Sequence, residues 1–181
     1  MINDYEATQP MTTDAVAVEP LQHMTNDDVV ATLGGLIQTC VDGEEGFRTA
    51  AEAIAASDTK TFLYENSQER ARFAGELETL VRELGGDPSH SGSFTGAIHR
   101  GWMDLKTAIV GNDAHDILSE CERGEDSAKK TFRDALDQTL PANVRSIVQR
   151  QCDVVVRSHD RVKGMRDSSG KDTANSAGGV L

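Results

Sequence analysis

Two glutamates stand at positions where leucines would be expected. Glu44 lies in Cys40-Val41-Asp42-Gly43-Glu44-Glu45 and Glu125 in Cys121-Glu122-Arg123-Gly124-Glu125-Asp126, segments 81 residues apart that share Cys-x-x-Gly-Glu and a following acid. Around the first, an apolar stripe reads Leu33, Ile37, Cys40, Glu44, Phe47, Ala51, Ile54. Around the second it reads Ala114, Leu118, Cys121, Glu125, Ala128, Phe132, Ala135. Steps of four and three put each set on one face of a helix turned to a core. An ionised carboxylate in such a face is costly unless it is paired, hydrogen-bonded or bound to a metal. The chemistry of the chain is therefore a question of what answers these two charges.

Two further helical patterns supply more interior polar residues. One reads Phe62, Asn66, Glu69, Phe73, Leu77, Leu80, Leu84, and the other Val144, Val148, Gln151, Val155, His159, Val162. Reflecting Glu44 through a turn at Ser57-Asp58 reaches the level of residue 72. Reflecting Glu125 through Leu140-Pro141 reaches the level of residue 155. Glu44, Glu69, Glu125 and Gln151 are thus expected near one level, with Arg72 beside them. Carboxylates and an amide can hold one hard divalent cation through oxygen, with His159 one or two turns away as a further ligand. Alternatively Arg70 or Arg72, each within a turn of Glu69, and Arg48, one turn beyond Glu44, neutralise the set as a buried Arg–Glu network. Protonation of one glutamate is the third route. The expected core cluster is Glu44, Glu69, Arg72, Glu125 and Gln151, with no catalytic residue and no cofactor. The metal alternative uses Glu44, Glu69, Glu125 and His159 around Fe, Mn, Mg or Ca.

Four long helices must position these groups. Thr25-Asn26-Asp27-Asp28 offers a cap and first-turn acids for a helix running to about Ala56. Ser57-Asp58-Thr59 reads as a turn and cap, and a second helix runs from about Lys60 to Leu84, where Gly85-Gly86-Asp87-Pro88 stops it. A shorter helical pattern over residues 94–110 carries the only tryptophan, Trp102. The third long helix spans residues 114–138, and the fourth follows Pro141 to about Arg166. Residues 1–24 read as a disordered leader, 25–167 as the folded domain and 168–181 as a flexible tail.

The bulk composition fits that architecture. The chain has 181 residues, few aromatics and a formal charge of −12. An acidic balance without clustered Lys and Arg argues against a nucleic-acid surface. No apolar run approaches the roughly 18 residues needed to span a bilayer, and no secretory leader is visible. Cys40, Cys121 and Cys152 form no Cys-x-x-Cys pair and read as small buried hydrophobes in a reducing, cytoplasmic compartment. A homo-oligomer and an unidentified protein partner both stay open.

With two short-looped hairpins joined by one long crossover, the chain resembles the ferritin-like four-helix bundles. It is more closely similar to a bacterial family of four-helix-bundle proteins of unknown function, through residues 40–48, 67–84, 99–106, 120–126 and 159–162. The resemblance implies an all-α, pseudo-symmetric bundle with a crossover containing a short helix. The wider group implies a di-iron site: one Glu from each of two helices and Glu-x-x-His from each of the others. Glu44 and Glu125 match the single glutamates, and Glu69 matches one paired glutamate. Arg72 and Val154 fill both histidine positions, and Gln151 replaces the other glutamate. The resemblance therefore implies a non-catalytic, stress-associated bundle with a polar core derived from a metal site. The rivals are a metal-dependent oxidase or peroxide-handling protein, and a cargo protein addressed through Gly178-Gly179-Val180-Leu181.

Overall fold

A cap opens the first helix as its sequence requires. The Thr25 hydroxyl accepts from the Asp28 backbone N–H, and the Asp28 carboxylate accepts from the Thr25 backbone N–H, each at 3.2 Å. The computed structural model describes residues 24–88 and 113–177, with the backbone alone for residues 171–177. Four helices cover these residues: α1 (Asn26–Ala53), α2 (Ser57–Glu83), α3 (Ala114–Leu136) and α4 (Ala142–Ala177). No strand occurs among the described residues, so the fold class is all-α. Residues 1–23 of the expected leader 1–24, the crossover helix with Trp102 and the last four residues lie outside the described residues.

Two boundaries differ from the sequence reading. Ser57, Asp58 and Thr59 belong to α2 rather than to a turn; Ile54 leaves α1 with extended backbone and Ala56 is the cap, without a side-chain bond. The turn is therefore centred near Ala55, because Ile54 stays buried at its own helix end instead of continuing the helix. At the other end, α4 continues past Arg166 to Ala177. Ser169 and Gly170 are half-buried there, and a Cβ on Gly170 would lie 3.0 Å from the His115 ring, so this last stretch packs against the start of α3. Gly85 closes α2 with φ of +82°, the left-handed conformation that only glycine adopts without strain.

α1 packs on α2 and α3 on α4, and the two pairs meet chiefly through α1 and α3. Two apolar clusters fill the interior. One gathers Leu33, Leu36, Phe73, Leu77, Phe132 and Val148; the other gathers Phe47, Ala50, Ile54, Leu63, Leu118 and Val162. Burying one such leucine or phenylalanine contributes roughly 1.5–3 kcal/mol. The stripes read on α1, α3 and α4 lie on the buried faces, with Glu44 and Ala114 only half-buried. On α2 the buried face is Leu63, Asn66, Ser67, Arg70, Phe73, Ala74, Leu77, Leu80 and Val81; it keeps Asn66, Phe73, Leu77 and Leu80 of the expected stripe but takes Leu63 and Arg70 in place of Phe62 and Glu69. The exchange of Glu69 for Arg70 decides the site.

Candidate functional site

Among the described residues Arg70 is the largest fully buried side chain, and it lies where the two apolar clusters meet. Its guanidinium is 5.8 Å from the Phe47 ring of one cluster and 5.7 Å from the Phe73 ring of the other. Aromatic faces favour a desolvated cation in such a place. Its Nη2 donates to both oxygens of Glu125, at 2.9 and 2.8 Å. Both side chains are nearly sealed from solvent, at 2% and 3% exposure. Nε and Nη1 of Arg70 have no acceptor among the described residues. The stem of Arg70 passes over Gly43 of α1: a Cβ there would sit 3.2 Å from Cγ and 3.3 Å from Cδ. Glycine at that position is what lets an arginine from α2 reach a glutamate on α3.

Burial pushes the Glu125 carboxyl up from its ordinary range, and the Arg70 charge beside it draws it part of the way back. The Ser158 hydroxyl is near enough to lower it a little, yet forms no hydrogen bond of good geometry. Cys40 and Cys121 flank the pair. Burial pushes each thiol up to about 12; Arg70 partly opposes this for Cys40, and the Glu125 charge reinforces it for both. Thiols held neutral in this way are poor nucleophiles and poor metal ligands.

The expected cluster is divided among four places. Glu125 is in the interior pair, but its partner is Arg70, not Arg72. Arg72 is 70% exposed and pairs with Glu69 on the outside of α2, where both belong to one i,i+3 surface contact. The reason is the turn centred near Ala55, which brings Ser67 to the level of Glu44; the Ser67 hydroxyl donates to the Glu44 backbone carbonyl at 2.9 Å. The Glu44 residue itself is half-buried. Gln151 is fully buried but faces elsewhere: its Nε2 donates to Glu76 Oε2 at 2.8 Å, and Arg150 pairs with the same carboxylate at 2.6 Å. Burial raises the Glu76 carboxyl, but the bonds from Arg150 and Gln151 outweigh it and leave it below its ordinary range. These residues do not assemble the donors of a di-iron centre. The one fully buried carboxylate among them is held on both oxygens by a guanidinium, and Val154 offers no ligand atom.

His159 completes a different group. Its Nε2 lies 3.0 Å from Asp126 Oδ1 and 4.0 Å from Glu122 Oε1, while Nδ1 lies 3.0 Å from Asp160 Oδ1. One ligand atom each from Glu122, Asp126 and His159 fall within 4.8 Å of one another, a spacing that could hold a metal ion. Arg166 pairs with Glu122, and Lys129 with Asp126 at 3.0 Å. The Lys129 bond chiefly, with His159 assisting, holds the Asp126 carboxyl below its ordinary range; the His159 bond does the same for Asp160. The sequence singles out His159 and offers Arg70 beside Arg72 as a neutralising cation, but gives Arg72 the place in the cluster that Arg70 takes, and it does not single out Glu122 or Asp126. A signal for the first was present: reflection through Leu140-Pro141 carries His159 onto Glu122. Nothing in the sequence chose Arg70 over Arg72, since both lie within a turn of Glu69 and a charged residue on an amphipathic helix reads as solvated.

Comparison with curated proteins finds no match. The profile of a family described as a domain of unknown function, DUF2383, matches residues 28–138, from the first turn of α1 to the end of α3. That span covers well over half the chain and contains Gly43, Arg70 and Glu125 together, so the protein belongs to the DUF2383 family.

Proposed function

We propose that this chain is a non-catalytic, stress-associated member of the ferritin-like bundles, in which an arginine takes the interior place of a metal. The observation that carries the reading is the Arg70–Glu125 pair: a fixed positive charge bonded to both oxygens of the buried glutamate and lying close to two phenylalanine rings. A guanidinium cannot lose its charge or change its coordination, so it supplies neither an open ligand position nor a proton at neutral pH. The Cys-x-x-Gly-Glu echo at 81 residues supports a pseudo-symmetric origin for the two helix pairs. Asymmetry has since entered at Arg70, whose counterpart at the same spacing is Gln151. The stress association rests on the kind of family the chain resembles.

Two variants and their combination test the interior. Arg70→Met should destabilise the fold by about 3–5 kcal/mol, because it leaves Glu125 buried without its partner. Arg70→Met with Glu125→Leu should recover most of that loss, since an apolar pair of similar volume is often neutral. The metal content of protein purified without chelator should be the same in the wild type and in Glu125→Gln. Stoichiometric iron that disappears in Glu44→Gln or Glu125→Gln would overturn the reading.

A further inference from the structure

We propose that Glu122, Asp126 and His159 bind one divalent transition-metal cation of the zinc class per chain, at the seam between α3 and α4 and apart from the Arg70–Glu125 pair. The donor set is the first ground. Two carboxylates one helical turn apart face an imidazole from the neighbouring helix, and their ligand atoms lie within 4.8 Å of one another. Around a zinc-sized ion, ligand atoms at about 2 Å stand roughly 3.3 Å apart, so only a small contraction is needed. Two carboxylates balance the charge of one divalent ion, and three protein ligands leave the fourth tetrahedral position to water.

The surroundings of the histidine are the second ground. Asp160 Oδ1 lies 3.0 Å from Nδ1 while Nε2 faces Glu122 and Asp126, so an ion bound at Nε2 would leave the ring proton on Nδ1, donated to Asp160. A carboxylate behind a ligating histidine is the arrangement that orients imidazoles at metal centres. The ring itself is only 9% exposed, so its orientation is held by packing. Glu122 is also mostly covered, and Arg166 holds its Oε2 while Oε1 is the atom turned to the imidazole. The metal would displace Lys129 from Asp126 and leave Arg166 in place.

Selectivity and stoichiometry follow from the same residues. An imidazole nitrogen favours zinc, cobalt or nickel over magnesium and calcium, which prefer sets made wholly of oxygen. The first repeat cannot build the same site, because an exposed valine, Val41, stands where Glu122 stands in the second. One ion per chain is therefore expected.

The test is calorimetric titration of the full chain with zinc alone, followed by cobalt, whose visible absorption reports tetrahedral coordination with nitrogen. Saturable binding at one ion per chain is expected, unaffected by a large excess of magnesium. His159→Gln should weaken it by about a hundredfold, and Asp160→Asn by about tenfold. Asp126→Asn changes a side chain that is 58% exposed, so it should fold normally and still weaken binding by tenfold or more. His115→Gln and Glu44→Gln should leave zinc affinity unchanged. Wild-type protein that shows no saturable zinc binding would overturn the proposal, as would full affinity in both His159→Gln and Asp126→Asn. Zinc binding lost in Glu44→Gln but kept in Asp126→Asn would overturn it and place the ion in the interior, against the function proposed above.

Discussion

Gly43 and Gly124 hold the same place in the two repeats and meet different surroundings. A Cβ at Gly43 would press on the Arg70 stem at 3.2 and 3.3 Å, whereas a Cβ at Gly124 meets nothing within 4 Å. Alanine is the better helix former by about 1 kcal/mol, so Gly124→Ala should stabilise the protein by up to that amount. Gly43→Ala gains the same helix term but crowds a packed contact, which costs about 1–3 kcal/mol, so its net effect should be a loss of about 1 kcal/mol. Urea denaturation of the two variants checks this; equal effects of the same sign would remove the role given to Gly43. The interior glutamate Glu125 was legible in the sequence because it broke an apolar stripe. Its partner was legible only as a choice between Arg70 and Arg72, because the packed stem and aromatic flanks that select Arg70 appear only after α1, α2 and α3 are assembled.

Helix ends decided how well the interior could be read. The Thr25 cap and the Gly85 stop were plain in the sequence, and each has its expected geometry. Replacing Gly85 by Ala would force a side chain into the left-handed region and should cost about 1–2 kcal/mol, read as a drop of several degrees in Tm. An unchanged Tm would mean that the end of α2 frays without consequence. The start of α2 was misread for a physical reason: Ser57 and Asp58 are good capping residues, but Ile54 is buried and draws the turn three residues earlier. A shift of that size in a turn moves the facing residue on the returning helix by more than a full turn. It accounts for Arg72 being expected where Ser67 lies. α3 and α4, joined through Leu140-Pro141, suffered no such shift, and their stripe from Val144 to Val162 was read in register.

Across the whole molecule, two deeply buried thiols set a limit on alkaline stability. Burial pushes the Cys40 and Cys121 thiols up to about 12, from 9.0 for an unburied thiol. Because their folded values are raised, their stabilising contribution is complete below pH 9 and is lost as pH rises toward 12, where the unfolded chain has released protons that the native one retains. Each thiol should contribute about 1.4 kcal/mol per pH unit within that window. The double variant Cys40→Ala, Cys121→Ala should show a flatter decline of stability with pH there, and a parallel decline would refute the assignment. The all-α class and the four helices were legible from periodicity at this scale; the pairing of charges across helices was not, since periodicity describes one helix at a time. That pairing has a dynamic consequence. Arg70 belongs to the first helix pair and Glu125 to the second, so drawing the pairs apart would strand two opposite charges in apolar surroundings. Partial opening of one pair alone is thereby suppressed, and amide hydrogen exchange should report a single opening free energy for the most protected amides of α1, α2, α3 and α4. In the Arg70→Met, Glu125→Leu protein the latch is gone, and the two pairs should exchange as separate cooperative units even where overall stability is restored.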